Sequence, residues 1–259
     1  MNLRVNRPGI SFNVLISILA ISICISSCRI TFMSFALKAA GIYSNKMRLT
    51  KATDGKKEIV FIKMHHIGTS RFYKKVKEEM LISRNDGFRI YYESVKSSPH
   101  PINGIDTINL KLRKILGFVH SPKGYLDTST HKLMGRKIFN GRKLVNQPKW
   151  SQMGIDTTTD KWADISVKEL LAAYENKFGL IQLDSCDFFT NMNEEYRCNI
   201  IMKKETRDFL IDEFRNKHIA KLITEDTCKK ILLIFGADHA KGVIEILQKD
   251  DPSWKIVEK

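Results

Sequence analysis

The pattern of apolar and polar positions predicts strands and helices in an interleaved order. The run EIVFIKM at residues 58–64 is short, apolar and rich in β-branched side chains, which is typical of a buried strand. Phe72, Val76 and Met80 then recur at helical spacing. The segment DGFRIYYESV indicates a turn and a second strand that ends near Glu93. Strand, helix and strand in this order predict a βαβ unit with parallel strands.

The C-terminal part of the chain shows the same order with clearer boundaries. ILLIF at residues 231–235 is expected to be a strand, and GADH at residues 236–239 a tight turn. A helix and a final strand follow, the helix with apolar residues at Ala240, Val243, Ile244 and Leu247. Both ends of the chain therefore place a histidine between an apolar strand and an amphipathic helix, which suggests two similar half-sites brought together.

Two further helices are expected between these ends. ADISVKELLAAYENKF begins with a capping-box pair, Ser166 and Glu169. TRDFLIDEFRNKHIAKLITED, residues 206–226, has the pattern of one long amphipathic helix. The whole order predicts an α/β domain over residues 58–259, with a central mixed, largely parallel sheet flanked by helices.

The N-terminal 40 residues have the pattern of a targeting segment. Arg4 and Arg7 are followed by an uncharged, strongly apolar stretch that ends at Cys28, which is typical of an export signal. ISSC at residues 25–28 resembles a bacterial lipobox, in which Cys28 would be lipidated. The alternative is an uncleaved membrane anchor, because the apolar run is long enough to span a bilayer. Either interpretation predicts a chain tethered to a membrane at the cell envelope, with residues 41–57 as a polar linker.

The basic charge of the chain bears on the class of partner. The net charge is +15, and residues 111–149 hold ten Lys or Arg against one acidic residue. No zinc-knuckle spacing or long basic helix accompanies them, so we expect no nucleic-acid partner and instead a basic surface that is solvated or faces an anionic membrane.

Beyond the N-terminal segment the cysteines are Cys186, Cys198 and Cys228, an odd number without metal-ligand spacing. One disulfide and one free thiol are possible.

Three candidate metal ligands follow predicted strands. A histidine of the doublet His65–His66, the carboxylate of Glu93 and the imidazole of His239 would converge if the three strands are neighbours, because ligands bind beyond the carboxyl ends of parallel strands. Two imidazoles and a carboxylate suit a divalent transition metal with one position left for water, the arrangement of metal-assisted hydrolysis. Asp238 is a candidate helix cap or partner of His239. The alternative is that these are ordinary loop residues, since no compact metal motif is present.

The ordered motifs resemble one protein family. GADHAKGVIEIL resembles the C-terminal Gly-x-x-His motif of the TraB/PrgY/GumN family, which includes the TIKI metalloproteases; erythromycin esterase-like and haem-binding ChaN-like proteins belong to the same superfamily. MHHIGTSRFYKKV is similar to the first His motif, and GFRIYYESV to the strand that ends in the family's Glu. RNKHIAKLI, LVNQPKW and WADISVKELL are similar to the remaining motifs, which contain Arg215, Asn216, Gln147 and Asp164. The resemblance covers about residues 57–257. It departs from the family at Lys63, where a Gly is expected.

The resemblance implies a metal-dependent hydrolase that acts on peptides or proteins. His66, rather than His65, would bind Mn, Co or Zn together with Glu93 and His239. Arg215 would stabilise an oxyanion or position an acidic group of the substrate. The supporting positions would be Gly236, Asp238, Asn216, Gln147 and Asp164.

Two other functions remain open. One is a non-enzymatic lipoprotein that binds haem or another ligand, for which Tyr91, Tyr92 and His65 are candidate contacts. The other is a catalytically silent interaction protein, which the Lys63 departure favours.

Overall fold

A six-stranded sheet forms the centre of the fold, with its strands in the order β11–β1–β2–β10–β4–β9. β10 is parallel to both β2 and β4, and β4 is parallel to β9, whereas β1 is antiparallel to both of its neighbours. The strands are β1 Leu49–Thr53, β2 Glu58–Met64, β4 Arg89–Tyr92, β9 Lys161–Trp162, β10 Lys230–Gly236 and β11 Lys255–Glu258. The predicted α/β class, with a mixed and largely parallel sheet flanked by helices, is confirmed.

The computed structural model describes residues 34–94, 107–117, 124–130, 132–133, 136–138, 143–192 and 196–258. The predicted export signal and the lipidation site at Cys28 lie outside the described residues. No helix in the described ranges is both long enough and apolar enough to cross a bilayer.

Alternate residues of the central strands pack against helices on the two faces of the sheet. Phe61 and Leu233 belong to a buried cluster on the face covered by α8, Asn216–Glu225, and α9, Ala237–Asp250. Their neighbours Ile62, Leu232 and Ile234 belong to the cluster on the other face, under α2, Ser70–Asn85. Because both faces are covered, β10 is a continuous apolar run, as expected for a central parallel strand.

The predicted βαβ unit is present as β2–α2–β4, but its two strands are not neighbours. β10, which comes much later in the sequence, lies between them and pairs with both. This insertion makes β2, β10 and β4 consecutive in the sheet, which is the condition under which the three candidate ligands would share one edge.

The prediction of a linker over residues 41–57 is wrong in part. Leu49–Thr53 forms β1, which pairs with β2 on one side and with β11 on the other. Only Thr50 and Ala52 of this strand are buried, so its apolar signal is too weak to mark a strand. Within the predicted N-terminal segment, residues 34–39 form a short helix, α1, whose Leu37 packs against a satellite cluster of the domain.

The long helix predicted for residues 206–226 has a different geometry in its first half. A turn of α-helix, α7 at Lys204–Arg207, continues into a π-helix over Asp208–Arg215 before α8 begins at Asn216. π-Helical segments are rare and frequently lie at functional sites. By contrast, α5, Val167–Phe178, begins at the predicted capping box of Ser166 and Glu169.

The remaining elements are small and lie around the main sheet. The helices are α3 Thr107–Leu116, α4 Trp150–Met153 and α6 Ser185–Phe189. The strands are β3 Ile67–Gly68, β5 Leu126–Asp127, β6 Lys132–Leu133, β7 Arg136–Lys137 and β8 Val145–Asn146. A disulfide joins Cys186 to Cys198, and Cys228 is a free thiol. The structure therefore has the one disulfide and one free thiol that the sequence allows.

Candidate functional site

Three neighbouring parallel strands end at the same edge of the sheet. Gly236 of β10 pairs with Met64 of β2, and Ile234 of β10 pairs with Tyr92 of β4. His66, Glu93 and His239 follow these strand ends within a few residues. We call the group formed by Glu93, His239, Arg215, Asp164 and Asn216 the strand-edge site, and His66 lies beside it.

Glu93 is the centre of the strand-edge site. Its Oε2 accepts a hydrogen bond from the backbone N–H of Gly236 at 2.6 Å, and its Oε1 accepts one from Arg215 Nη2 at 2.7 Å. Burial alone would raise the pKa of this carboxyl. The interaction with His239 and the charge of Arg215 outweigh burial and hold the Glu93 pKa well below its ordinary value. Glu93 is therefore a carboxylate at every physiological pH.

His239 is buried in the first turn of α9 and lies between two polar partners. Its Nδ1 is 2.7 Å from Asn216 Oδ1, and its Nε2 is 3.7 Å from Glu93 Oε1. An amide oxygen only accepts hydrogen bonds, so this contact requires the proton on Nδ1. A neutral ring in this form presents the lone pair of Nε2 towards Glu93, which is the arrangement of a metal-ligating histidine with its second nitrogen anchored.

Arg215 links the two acidic side chains of the site. Its Nε and Nη2 donate to the two oxygens of Asp164 at 3.0 and 2.8 Å, and Nη2 also donates to Glu93. Burial would lower the pKa of the guanidinium, but the charges of Asp164 and Glu93 raise it, so Arg215 stays charged. Among the described residues, Nη1 of Arg215 makes no hydrogen bond. That nitrogen is the donor with which Arg215 could bind a substrate oxygen.

Two consecutive residues at the end of the π-helix both reach the site. Arg215 is its last residue and Asn216 the first of α8, and they contact Glu93 and His239 respectively. In a regular α-helix, consecutive side chains are about 100° apart around the axis. The change from π-helix to α-helix falls between these two residues.

The space around Asn216 depends on a glycine of α9. A Cβ at Gly242 would lie 2.2 Å from Asn216 Nδ2, so a larger residue would displace the amide. The Nδ2 atom is buried and has no hydrogen-bond partner within the described part of the chain. The Asn216 amide is thus held by close packing on one side and by His239 on the other.

The histidine doublet is divided between two environments. His66 is exposed and stacks on Tyr125, with ring centroids 5.0 Å apart and an interplanar angle of 28°. Its charge contributes to the low pKa of Glu93, so His66 is the member that lies near the site. His65 packs instead against Phe72, and burial lowers its pKa.

The other predicted positions have mixed outcomes. Gln147 supports the first half-site through its backbone, because its N–H donates to His66 O at 2.9 Å. Asp238 neither caps α9 by its side chain nor contacts His239. Gly236 is the N-cap residue, and the exposed Asp238 carboxylate accepts from Arg207 Nη2 at 2.9 Å. Asn216 occupies the position beside His239 that the sequence suggested for Asp238.

Two tyrosines that were candidate haem contacts are committed elsewhere. The hydroxyl of Tyr91 donates to Asp226. Asp226 lies just before β10, at the amino-terminal end of the strand, whereas the strand-edge site lies at the carboxyl end. Burial and Asp226 raise the Tyr91 pKa. Tyr92 is buried and packs against Trp150. Both tyrosines are buried.

Tyr125 and Gly242 are site residues that the sequence patterns do not indicate. Tyr125 lies in a basic, Pro- and Gly-dotted stretch without periodicity, and Gly242 lies inside a helix pattern where glycine has no visible role. For Gly242 the sequence offers one signal, the glycine itself. A glycine within a helix costs stability relative to alanine, so its presence suggests that close packing requires it.

Part of the site has the dimensions of a metal site. Two ligands of a tetrahedral metal with bonds of about 2.0–2.1 Å lie about 3.3 Å apart, and the His239 Nε2 to Glu93 Oε1 distance is 3.7 Å. Glu93 retains lone pairs, because a carboxylate offers about four acceptor positions. Within the described ranges, however, no three His, Cys, Asp or Glu side chains are arranged to hold a metal. The pair fits two ligands, and His66 is close but not in a ligating position.

Comparison of the chain with protein-family models, with curated proteins and with solved structures gave no match. The resemblance to the TraB/PrgY/GumN family therefore stays a prediction based on the ordered motifs.

Proposed function

We propose that this chain is a metal-dependent hydrolase of peptide or protein substrates, with the strand-edge site as its active site. The observation that carries the proposal is the pair formed by His239 Nε2 and Glu93 Oε1, 3.7 Å apart at the carboxyl edge of three adjacent strands. When Nε2 carries no proton, its lone pair and those of the carboxylate repel each other at this distance unless a cation or a hydrogen-bond donor lies between them.

Glu93 and His239 would hold the metal, with His66 as the third ligand. Mn, Co and Zn all accept imidazole and carboxylate ligands. When bound, such a metal lowers the pKa of a water molecule and polarises a carbonyl. Asn216 fixes the His239 ring through Nδ1, which keeps Nε2 directed at Glu93.

Arg215 would bind the substrate oxygen on which negative charge develops. Asp164 fixes the guanidinium plane by two hydrogen bonds, so the remaining nitrogen, Nη1, is oriented before the substrate arrives. A fixed donor of this kind stabilises developing charge without reorganisation. The geometry around Arg215 supports this role, which agrees with the function that the resemblance implies.

The proposed location is the cell envelope, outside the cytoplasm. The Cys186–Cys198 disulfide supports this, because such bridges persist in oxidising compartments. The export signal predicted from residues 1–40 agrees with it. A peptide substrate would then meet the enzyme at the membrane surface.

A second candidate, a catalytically silent interaction protein, has one specific observation in its favour. Both oxygens of Glu93 already have donors, Gly236 N–H and Arg215 Nη2, so an ion-pair network could exist here for stability alone. In that case His239 would be an imidazolium paired with Glu93, and no metal would bind.

A hydrolysis assay separates the two. The full-length chain is depleted of metal with a chelator and incubated with a peptide mixture, with and without added Mn, Co or Zn, and cleavage is followed by mass spectrometry. Cleavage should require the metal and should be lost in Glu93→Gln. The control Glu78→Gln changes an exposed carboxylate on α2 and should cleave like the wild type. Cleavage by Glu93→Gln equal to that of the control would refute the assignment.

A further inference from the structure

The first half-site contains a contact that the proposed function does not explain. His66 stacks on Tyr125, yet it is not in a ligating position beside Glu93 and His239. His66 comes two residues after Met64, which pairs with Gly236, and the Gly236 N–H binds Glu93, so His66 lies at the same edge of the sheet as the carboxylate. The contacts around His66 indicate what holds its exposed side chain away from Glu93 and His239.

The backbone of the doublet is held at two points. The Tyr73 hydroxyl donates to His65 O at 2.8 Å, and the Gln147 N–H donates to His66 O at 2.9 Å. With both carbonyls anchored, the main movement left to His66 is rotation of its side chain. The rotamer that the structure shows is the one that stacks on Tyr125.

Tyr125 is itself fixed by a clasp between two segments. The Asn146 side chain accepts from Leu126 N–H at 2.8 Å and donates to Leu126 O at 2.7 Å. Gly124 has φ +80°, and a Cβ there would lie 2.6 Å from Asn146 Cγ, so only glycine allows the approach. Asn146 also pairs with Ile67, the residue after His66. These contacts hold the backbone on both sides of Tyr125 against the segment that follows His66.

We propose that Tyr125 is a positioning residue that holds His66 off the Glu93–His239 pair, and that His66 completes the metal site only by leaving this stack. The proposal rests on the proposed function, because it takes His66 as the third ligand. Metal binding must then overcome the stacking contact. Removal of the Tyr125 ring should tighten metal binding, whereas removal of its hydroxyl alone should not.

The test compares Co²⁺ binding by the full-length wild type, Tyr125→Ala, Tyr125→Phe and Tyr43→Ala. Tyr43 and Tyr125 are both partly buried against the same satellite cluster, so Tyr43→Ala is a matched control for loss of packing. The expected result is an affinity two- to tenfold higher for Tyr125→Ala, about the strength of one aromatic contact. Tyr125→Phe and Tyr43→Ala should bind like the wild type.

A second readout follows the histidine rings directly. Selective ¹⁵N labelling of the seven histidines reports each imidazole by NMR. The His66 signal should shift in metal-free Tyr125→Ala, where the ring current of Tyr125 is lost. It should also shift when the wild type is titrated with diamagnetic Zn²⁺, which takes the place of Co²⁺ in this experiment. Tyr43→Ala should leave the metal-free His66 signal in place.

The outcomes separate this proposal from the proposed function. Weaker or unchanged Co²⁺ binding by Tyr125→Ala overturns the role of Tyr125, while metal-dependent cleavage by the wild type leaves the proposed function intact. Binding by Tyr125→Ala but not by the wild type supports the role of Tyr125. Absence of binding in both overturns both proposals.

Discussion

The Nε2 atom of His239 lies 3.7 Å from Oε1 of Glu93, although the two residues are 146 positions apart in the chain. Their approach depends on β10, which lies between β2 and β4 and brings the start of α9 next to the end of β4.

Asn216 should control metal affinity without itself being a ligand. Asn216→Ala leaves the Nδ1–H of His239 buried without its acceptor, which costs about 1–3 kcal/mol of folding stability. Loss of a partner behind a metal ligand typically lowers metal affinity by about 10–100-fold. Denaturant unfolding and Co²⁺ titration measure the two effects. Asn85→Ala, at the exposed end of α2, should change neither.

Gly242→Ala should destabilise the protein, contrary to the ordinary effect of this change in a helix. Helix propensity favours alanine by about 1 kcal/mol. The new Cβ would lie 2.2 Å from Asn216 Nδ2, and such overpacking costs about 1–3 kcal/mol and pushes the amide away from His239. A lower denaturation midpoint together with weaker Co²⁺ binding is expected. A variant more stable than the wild type would show that the packing around Asn216 is loose.

Arg215→Met should cause a large loss of stability. It removes the partner of two acidic side chains, Asp164 and Glu93, which are almost inaccessible to solvent. Breaking a buried pair from one side costs about 3–5 kcal/mol. Arg207→Met breaks the exposed pair with Asp238 and should cost about 0–1 kcal/mol. Equal unfolding free energies for the two variants would contradict the buried network.

The ionisation of Glu93 should stabilise the fold above the ordinary carboxyl pKa. Because the folded-state pKa lies well below the ordinary value of 4.5, this contribution is complete above it and is lost as the pH falls towards the folded-state pKa. The difference in unfolding free energy between the wild type and Glu93→Gln should be constant from neutral pH down to about pH 5 and then shrink. A difference that grows with acidification would contradict the low pKa.

Much of the fold could be predicted because its main strands are fully buried. The run at residues 231–235 and the GADH turn are visible in the sequence, since a strand covered on both faces is continuously apolar. β1 is not visible, because only Thr50 and Ala52 turn inward.

Residue patterns alone predict the site only where candidate ligands follow strand ends, whereas Arg215, Asn216 and Asp164 are named only through the family resemblance. His66, Glu93 and His239 come directly after strands, so the topology brings them to one edge. The Arg215–Asp164 pair joins residues 51 positions apart, and Arg215 ends a π-helix that no pattern indicates. Tyr125 reaches His66 through a clasp built from Gly124 and Asn146, which tertiary contacts alone define.

The central claim is that Glu93 and His239 hold a divalent metal. Its most direct test is a Co²⁺ titration of the metal-free full-length chain, followed by the visible absorption bands of the bound ion, in the wild type, His239→Ala and His218→Ala. His218 is a half-buried histidine of α8 outside the site, so His218→Ala controls for the loss of any imidazole. The account predicts one equivalent of Co²⁺ bound by the wild type and by His218→Ala, and none by His239→Ala. Equal binding by His239→Ala and the wild type, or no binding by any of the three, would contradict it.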